Sequence, residues 1–167
     1  MRSIALLEIA FVFTTAATAG NGGRIVAAEG VRVVVPAGWQ RVHAARPGSV
    51  TDPRTLLVVG TTGSRPKASG CQIASYRVPV DGAVVVVVGW RHLALSGAQG
   101  AEPGRQPLAA LTAVRRPAFE CFGGPGATAQ VVLGGKAFQV NVLVGDLASR
   151  QRVAEALAVA RSFDLAR

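Results

Sequence analysis

Hydrophobic positions in this chain fall into short runs separated by glycine, proline and polar residues. The most regular run lies at 83–91, where five consecutive valines are bounded by Asp81-Gly82 and Gly89. Valine is β-branched and favours strands, and a continuous apolar run of this length is typical of a strand covered on both faces. The pattern therefore predicts a strand in the middle of a sheet, and the run is far too short to span a bilayer.

Weaker patterns predict further strands. Apolar or alternating residues occupy 31–35, 55–61, 71–80 and 118–122. Asp81-Gly82, between the run at 71–80 and the valine run, is a strong hairpin signal. A second hairpin is predicted at 127–145, because Gly134-Gly135 can supply the positive φ values of a two-residue turn.

Two helices are predicted. The first covers 107–116, with Pro107 at a favoured first position and Pro117 as its stop. The second covers 147–163, with Asp146 as its N-cap. It carries one apolar stripe with helical spacing, formed by Val153, Ala156, Leu157 and Ala160. Phe163 is expected to close this stripe against the sheet.

Strands dominate, and several consecutive ones are joined by turns too short for a parallel crossover. The predicted fold class is therefore α+β. We expect a single antiparallel β-sheet of about six to seven strands, packed against a C-terminal helix and a short middle helix. The length of 167 residues suits one domain, which we place at 30–167.

The first twenty residues have the layout of a secretory signal. Arg2 forms a minimal positive region, an apolar stretch covers 4–13, and Ala17 and Ala19 are small residues before Gly20. We therefore predict a signal peptide at 1–19 and a secreted or extracytoplasmic protein, without a transmembrane span after cleavage. The alternative is a cytosolic chain whose amino-terminal helix is partly buried, which the charge of Glu8 inside the apolar stretch would suit.

The net charge of +9 favours anionic partners such as acidic polymers or anionic membrane surfaces. The basic residues are scattered, however, and Arg115-Arg116 is the longest basic run. This distribution predicts no specific nucleic-acid binding. A high content of arginine, alanine, glycine and valine is associated with GC-rich bacterial genomes.

Two stretches carry a resemblance to a known family. The sequence GVRVVVPAGWQRV at 30–42 is similar to the first strand and Pro-x-Gly-Trp turn of PsbP/Mog1-like domains. The hairpin at 127–145, with the helix ending ARSFDL, also resembles the end of those domains. The chain further resembles small exported actinobacterial proteins without an assigned activity. The resemblance implies the fold, and a binding or assembly role rather than a shared catalytic set.

The two cysteines, Cys71 and Cys121, predict one disulfide in an oxidising compartment. It would tie the strand at 71–80 to the strand at 118–122. In a reducing compartment the same residues would be buried thiols. Together with His43 and His92 they match no zinc-ligand spacing, and nothing in the sequence marks either cysteine as a nucleophile.

No catalytic or cofactor motif is present. The chain has no G-x-S-x-G elbow, and the glycine-rich stretches at 60–67 and 123–129 lack the endings of a phosphate loop and a dinucleotide fingerprint. We predict no catalytic residue, no bound cofactor and no metal. If the protein were a hydrolase acting on envelope material, Asp81 and Glu120 would be the first carboxylate pair to examine.

The end of the valine strand carries the best candidate binding residues. Trp90, Arg91 and His92 combine an aromatic ring, a fixed cation and a titratable ring, and Trp39 could lie nearby. Such a cluster could bind an anionic or sugar-like ligand. Alternatively, both tryptophans cap the core edge while Arg91 and His92 are solvated.

These observations favour a non-enzymatic exported domain with a binding or assembly role at the cell envelope. Its expected partner is an envelope protein or an anionic polymer. The alternatives are an envelope-directed hydrolase with an unrecognised site and weak arginine-mediated binding of polyanions, which would depend steeply on salt.

Overall fold

A computed structural model describes residues 22–45, 52–91, 102–119 and 121–167. Eleven strands and two helices lie in these ranges. The strands are β1 (Arg24–Ala28), β2 (Val31–Val35), β3 (Trp39–Arg41), β4 (Arg54–Thr61), β5 (Arg65–Pro66), β6 (Tyr76–Arg77), β7 (Ala83–Gly89), β8 (Glu102–Pro103), β9 (Gly126–Leu133), β10 (Lys136–Val144) and β11 (Asp164–Leu165). The helices are α1 (Gln106–Ala109) and α2 (Arg150–Arg161).

The α+β class is confirmed, but the strands divide among three sheets. Six form the main sheet, in the order β3-β4-β7-β10-β9-β8. All its pairs are antiparallel except β8 with β9. Strands β1, β2 and β11 form a second, three-stranded sheet, and β5 pairs with β6. The single predicted sheet is therefore an approximation.

The predicted valine strand is confirmed as an interior strand. Strand β7 pairs with β4 on one side and β10 on the other, and all seven of its residues are buried. Alternate valines point to opposite faces, so the strand contributes to two cores. The larger core lies between the main sheet, the three-stranded sheet and α2. The smaller core, on the other face, includes Val84, Val86, Val88 and Tyr76.

The hairpin at 127–145 is also confirmed. Strands β9 and β10 are joined by Gly134 and Gly135, with φ of 55° and 71°. Both values lie in the left-handed region that glycine enters at little cost. The hairpin therefore follows directly from its local sequence.

The C-terminal helix forms, but it begins later than predicted. Ser149 is the N-cap of α2, and its side chain accepts a hydrogen bond from the Arg152 N–H at 3.1 Å. The expectation that Asp146 caps this helix is wrong, because its carboxylate pairs with Arg116 instead. Phe163 is fully buried as expected, and its ring centroid lies 5.3 Å from that of Phe138 on β10.

The prediction of a strand over 71–80 is wrong. Residues 72–74 form a turn, and only Tyr76–Arg77 pairs as a strand, with Arg65–Pro66. The Ser75 hydroxyl donates to the carbonyl of Cys71 at 2.7 Å, a local bond that competes with strand pairing. The predicted hairpin at Asp81-Gly82 is also absent, because β4 and β10 occupy the two sides of β7, although the turn itself forms with the Gly82 N–H donating to Pro79.

Two elements between residues 106 and 122 are also corrected. Helix α1 covers only four residues rather than 107–116, because Arg115 instead exchanges two backbone hydrogen bonds with Gly126. The prediction of a strand at 118–122 is wrong, because Phe119 and Phe122 form only an isolated bridge, in which the Phe122 N–H donates to the Phe119 carbonyl. In the described ranges, no helix is long and apolar enough to cross a membrane.

A candidate ligand site at the end of the valine strand

A cavity of about 270 Å³ opens where the valine strand ends. Trp90 and Arg91, two of the residues singled out from the sequence, line it. The other lining residues are the adjacent Gly89 and, from four further segments of the chain, Glu29, Gly30, Val31, Arg54, Leu56, Lys136, Phe138 and Leu165. The cavity therefore lies where the ends of three interior strands of the main sheet, β4, β7 and β10, meet the turn between β1 and β2.

Sheet register brings the walls together. Gly89 on β7 is the direct partner of Arg54 on β4 and of Phe138 on β10. Lys136 begins β10 two residues before Phe138, at the same end of the sheet. Residues far apart in sequence thus converge because three antiparallel strands end or begin at the same level.

The glycine that ends the valine run is required by close packing. A Cβ atom at position 89 would lie 2.6 Å from Cδ1 of Leu56 and 3.3 Å from Cδ1 of Phe138. Both side chains belong to the main core and form the apolar floor of the cavity. A valine at position 89 would therefore displace the side chains of Leu56 and Phe138.

The rim of the cavity is positively charged. Arg54, Arg91 and Lys136 are exposed there, opposed by the carboxylate of Glu29. The Arg54 Nη2 lies 3.5 Å from the Glu29 Oε2, and both side chains are about half exposed, at 46% and 54%. The backbone N–H of Arg91 donates to Asp52 Oδ1 at 3.0 Å, which fixes the chain as it leaves the strand. Cations thus outnumber anions among the lining residues.

Trp90 lines the cavity and also contacts the smaller core. Its side chain is partly buried and packs against the valine cluster on that face. Its backbone N–H continues the strand pairing by donating to the Ala137 carbonyl at 3.1 Å. Because side chains alternate along a strand, the indole lies on the face of Val86 and Val88, opposite the cavity floor of Leu56 and Phe138.

The structure does not bring Trp39 to Trp90. Trp39 pairs with Thr61, about seven residues along β4 from Arg54, a separation of roughly 23 Å. It is 3% exposed and belongs to the main core. Its carbonyl accepts a hydrogen bond from Arg24 at 3.1 Å. His92, the fourth candidate, lies outside the described residues.

Cys71 and Cys121 are joined by a disulfide, with their Cα atoms 6.5 Å apart. The bond connects the residue that precedes the turn at 72–74 to the turn residue that precedes Phe122, rather than the two strands expected. These turns lie over the smaller core, which the side chains of Ile73, Phe119 and Phe122 partly cover. The disulfide therefore links the two segments whose side chains cover the smaller core.

The described residues hold no group of three or more histidine, cysteine, aspartate or glutamate side chains able to bind a metal. Asp81 is exposed in the turn before β7. Its proposed catalytic partner, Glu120, lies outside the described residues. His43 is exposed just after β3. Neither Asp81 nor His43 lines the cavity beside Trp90.

Sequence reasoning missed five residues on which the site depends: Glu29, Arg54, Leu56, Lys136 and Phe138. One local signal was available, because Glu29-Gly30 separates two short apolar runs and is a turn candidate. Arg54 and Lys136 carry no such signal, since only the register of β4 and β10 against β7 brings them to the cavity.

Comparison with known proteins adds no family to this description. No protein-family model matches the chain, and no curated protein matches it significantly.

Proposed function

We propose that this chain is a non-enzymatic binding domain of the cell envelope, and that it takes a small ligand with an anionic group into the cavity beside Trp90. The arrangement that carries this proposal is an apolar floor, formed by Leu56 and Phe138, under a cationic rim. The floor favours an apolar portion of the ligand, and the rim favours its anionic end.

The size of the cavity limits the ligand. Its volume of about 270 Å³ corresponds to roughly nine water molecules of liquid, and lies just below the range usual for drug-sized ligands. A compact molecule fits, or one end of a longer envelope component.

The location outside the cytoplasm rests on two features. Disulfides persist mainly in oxidising compartments, and the Cys71–Cys121 bond suits such a place. Residues 1–19 have the layout of a signal peptide. The intact mass of the protein from its native cells tests both: we expect a chain beginning at or near Gly20, with two thiols that react only after reduction. A full-length mass with two free thiols would contradict this part of the proposal.

Binding is tested by nuclear magnetic resonance on the ¹⁵N-labelled protein. The chain has two tryptophans, so it gives two indole N–H signals, and a Trp90→Phe variant assigns them. We expect a low-molecular-mass extract of the cell envelope to shift the Trp90 signal and leave that of the buried Trp39 in place. An extract that moves neither signal, nor the backbone signals of Gly89 and Lys136, would reject the cavity as the site.

Matched variants sharpen this test. Lys136→Met removes a cation from the rim, whereas Arg150→Met removes an exposed cation at the start of α2, away from the cavity. We expect only the first to weaken binding of the extract. Equal weakening by both, together with steep loss on adding salt, would favour the alternative of diffuse polyanion binding.

A further inference from the structure

The turn between β1 and β2 has an unusual residue at its first position. Ala28 pairs with Val31, so Glu29 and Gly30 form a two-residue hairpin loop. Their φ angles are 50° and 79°, both in the left-handed region. Turns of this kind strongly prefer asparagine, aspartate or glycine at the first position, and a glutamate there is strained. Local turn chemistry does not explain the choice of Glu29.

The ion pair made by Glu29 does not explain it either. Its carboxylate lies 3.5 Å from Arg54, but both side chains are about half exposed. Pairs exposed to this extent contribute little to stability. Departures from local sequence preference concentrate at functional sites, and this one lies on the wall of the cavity.

We propose that Arg54 is the carboxylate-binding residue of the cavity, and that Glu29 is an internal competitor which the carboxylate of a ligand displaces. The inference rests on the proposed function, because it assigns a ligand class and a regulating residue to the same cavity. A carboxylate already lies beside Arg54 in this structure, supplied by the protein itself. Displacing it leaves the Arg54 guanidinium free to bind a ligand carboxylate.

The rest of the cavity defines the body of the ligand. Leu56 and Phe138 are buried beneath the rim. Arg91 and Lys136 add positive charge, which Glu29 and the neighbouring Asp52 carboxylate balance only in part. The ligand class is therefore a small monocarboxylate with an aromatic or branched apolar body.

The test uses three probes that share an apolar ring and differ in the polar group. They are 3-phenylpropionate, the neutral 3-phenylpropanol and phenyl phosphate, each titrated while the Trp90 indole signal is followed. We expect 3-phenylpropionate to bind at least about tenfold more tightly than the alcohol, because a charged hydrogen-bonded pair contributes more than a neutral one. Phenyl phosphate is expected to bind less tightly than the carboxylate.

Variants of the two residues separate their roles. Glu29→Gln removes the competing charge and is expected to tighten binding of 3-phenylpropionate by about twofold to fivefold, with no change for the alcohol. Glu29→Asn should act in the same direction and also suits the turn, so it serves if the glutamine variant folds poorly. Arg54→Met should weaken binding of the carboxylate about tenfold or more, whereas Arg150→Met should leave it unchanged.

Several results would overturn the inference. Equal affinity for the acid and the alcohol would show an apolar cavity without a carboxylate preference, and the broader proposal would survive if the envelope extract still moved the Trp90 signal. Unchanged carboxylate affinity in both Glu29 variants would refute the competitor role. Tighter binding of phenyl phosphate would replace the carboxylate with a phosphate ligand, and the failure of all three probes to bind would refute the assigned ligand class.

Discussion

The side-chain amide of Asn141 donates a hydrogen bond to the backbone carbonyl of Val86, 3.3 Å away on the neighbouring strand, with no exposure to solvent. The Oδ1 atom of the same amide accepts from Gln139 at 2.7 Å and from Thr128 at 3.0 Å. A buried polar side chain on the main sheet is thus supplied with partners on both sides, as burial of an amide requires.

Replacing Asn141 with alanine is therefore expected to destabilise the protein by about 2 kcal/mol, because the buried hydrogen bond to the Val86 carbonyl is lost together with those from Gln139 and Thr128. Urea unfolding followed by circular dichroism measures the loss. Gln130→Ala is the control, since this side chain donates only to Gln139, at 3.2 Å, near the edge of the network. Equal losses in the two variants would contradict a central role for Asn141.

Gly145 is expected to tolerate no side chain. A Cβ atom there would lie 2.1 Å from the carbonyl oxygen of Pro79 and 2.4 Å from that of Val80. Because these are backbone atoms, they cannot move aside as a flexible side chain can. Gly145→Ala should cost about 3 kcal/mol or more, read from the urea midpoint. Gly123→Ala, with nothing within 4 Å of its Cβ, should change the midpoint little.

Tyr76 is expected to make the free energy of unfolding depend on pH in the alkaline range. Burial raises the pKa of its hydroxyl above the ordinary value of 10.0, partly offset by hydrogen bonds from the Ala45 backbone and Thr55. The unfolded chain therefore loses this proton first as pH rises. The contribution of the neutral phenol is complete below pH 10 and declines as pH rises from there towards the folded-state pKa.

We expect the free energy of unfolding to fall above pH 10 in the native protein and to fall less steeply in Tyr76→Phe. The variant should also lose about 1 kcal/mol at pH 7, because the Ala45 N–H, 3.0 Å from the hydroxyl, loses its acceptor. Urea unfolding at pH 7, 9 and 11 provides the comparison. Parallel pH profiles for the two proteins would exclude Tyr76 as the source.

The disulfide is expected to contribute substantially to stability. Its two cysteines are 50 residues apart, and closing a loop of this length removes about 4 kcal/mol of unfolded-state entropy on the loop-closure model. The Cys71→Ala/Cys121→Ala double variant should unfold at a correspondingly lower urea concentration. Reduced native protein should match the variant, whereas a reduced protein as stable as the oxidised one would contradict this account.

The parts of the fold that could be predicted are those specified locally. The valine run in β7 and the Gly134-Gly135 turn each carry their signal within a few residues, so both were predicted correctly. The stretch at 71–80 has a strand-like composition, but the hydrogen bond from Ser75 to Cys71 holds a turn there. Local alternation cannot reveal such a competing bond.

The division into sheets depends on contacts between distant residues. Strand β11 pairs Asp164 with Arg32 and Leu165 with Val31, and these two-residue pairings have no pattern of their own. The candidate site has the same character. Trp90 and Arg91 could be selected as an aromatic beside a cation, but Glu29 and Arg54 join them only through the register of three strands and a turn.

The disulfide also makes a covalent ring, and the central strand belongs to it. Strand β7 lies between Cys71 and Cys121 in the chain, whereas both strands that flank it, β4 and β10, lie outside that ring. A protease that cuts once within the ring produces two fragments that remain one molecule under oxidising conditions. Such a nick would pass unseen on a non-reducing gel and appear as two bands only after a thiol is added.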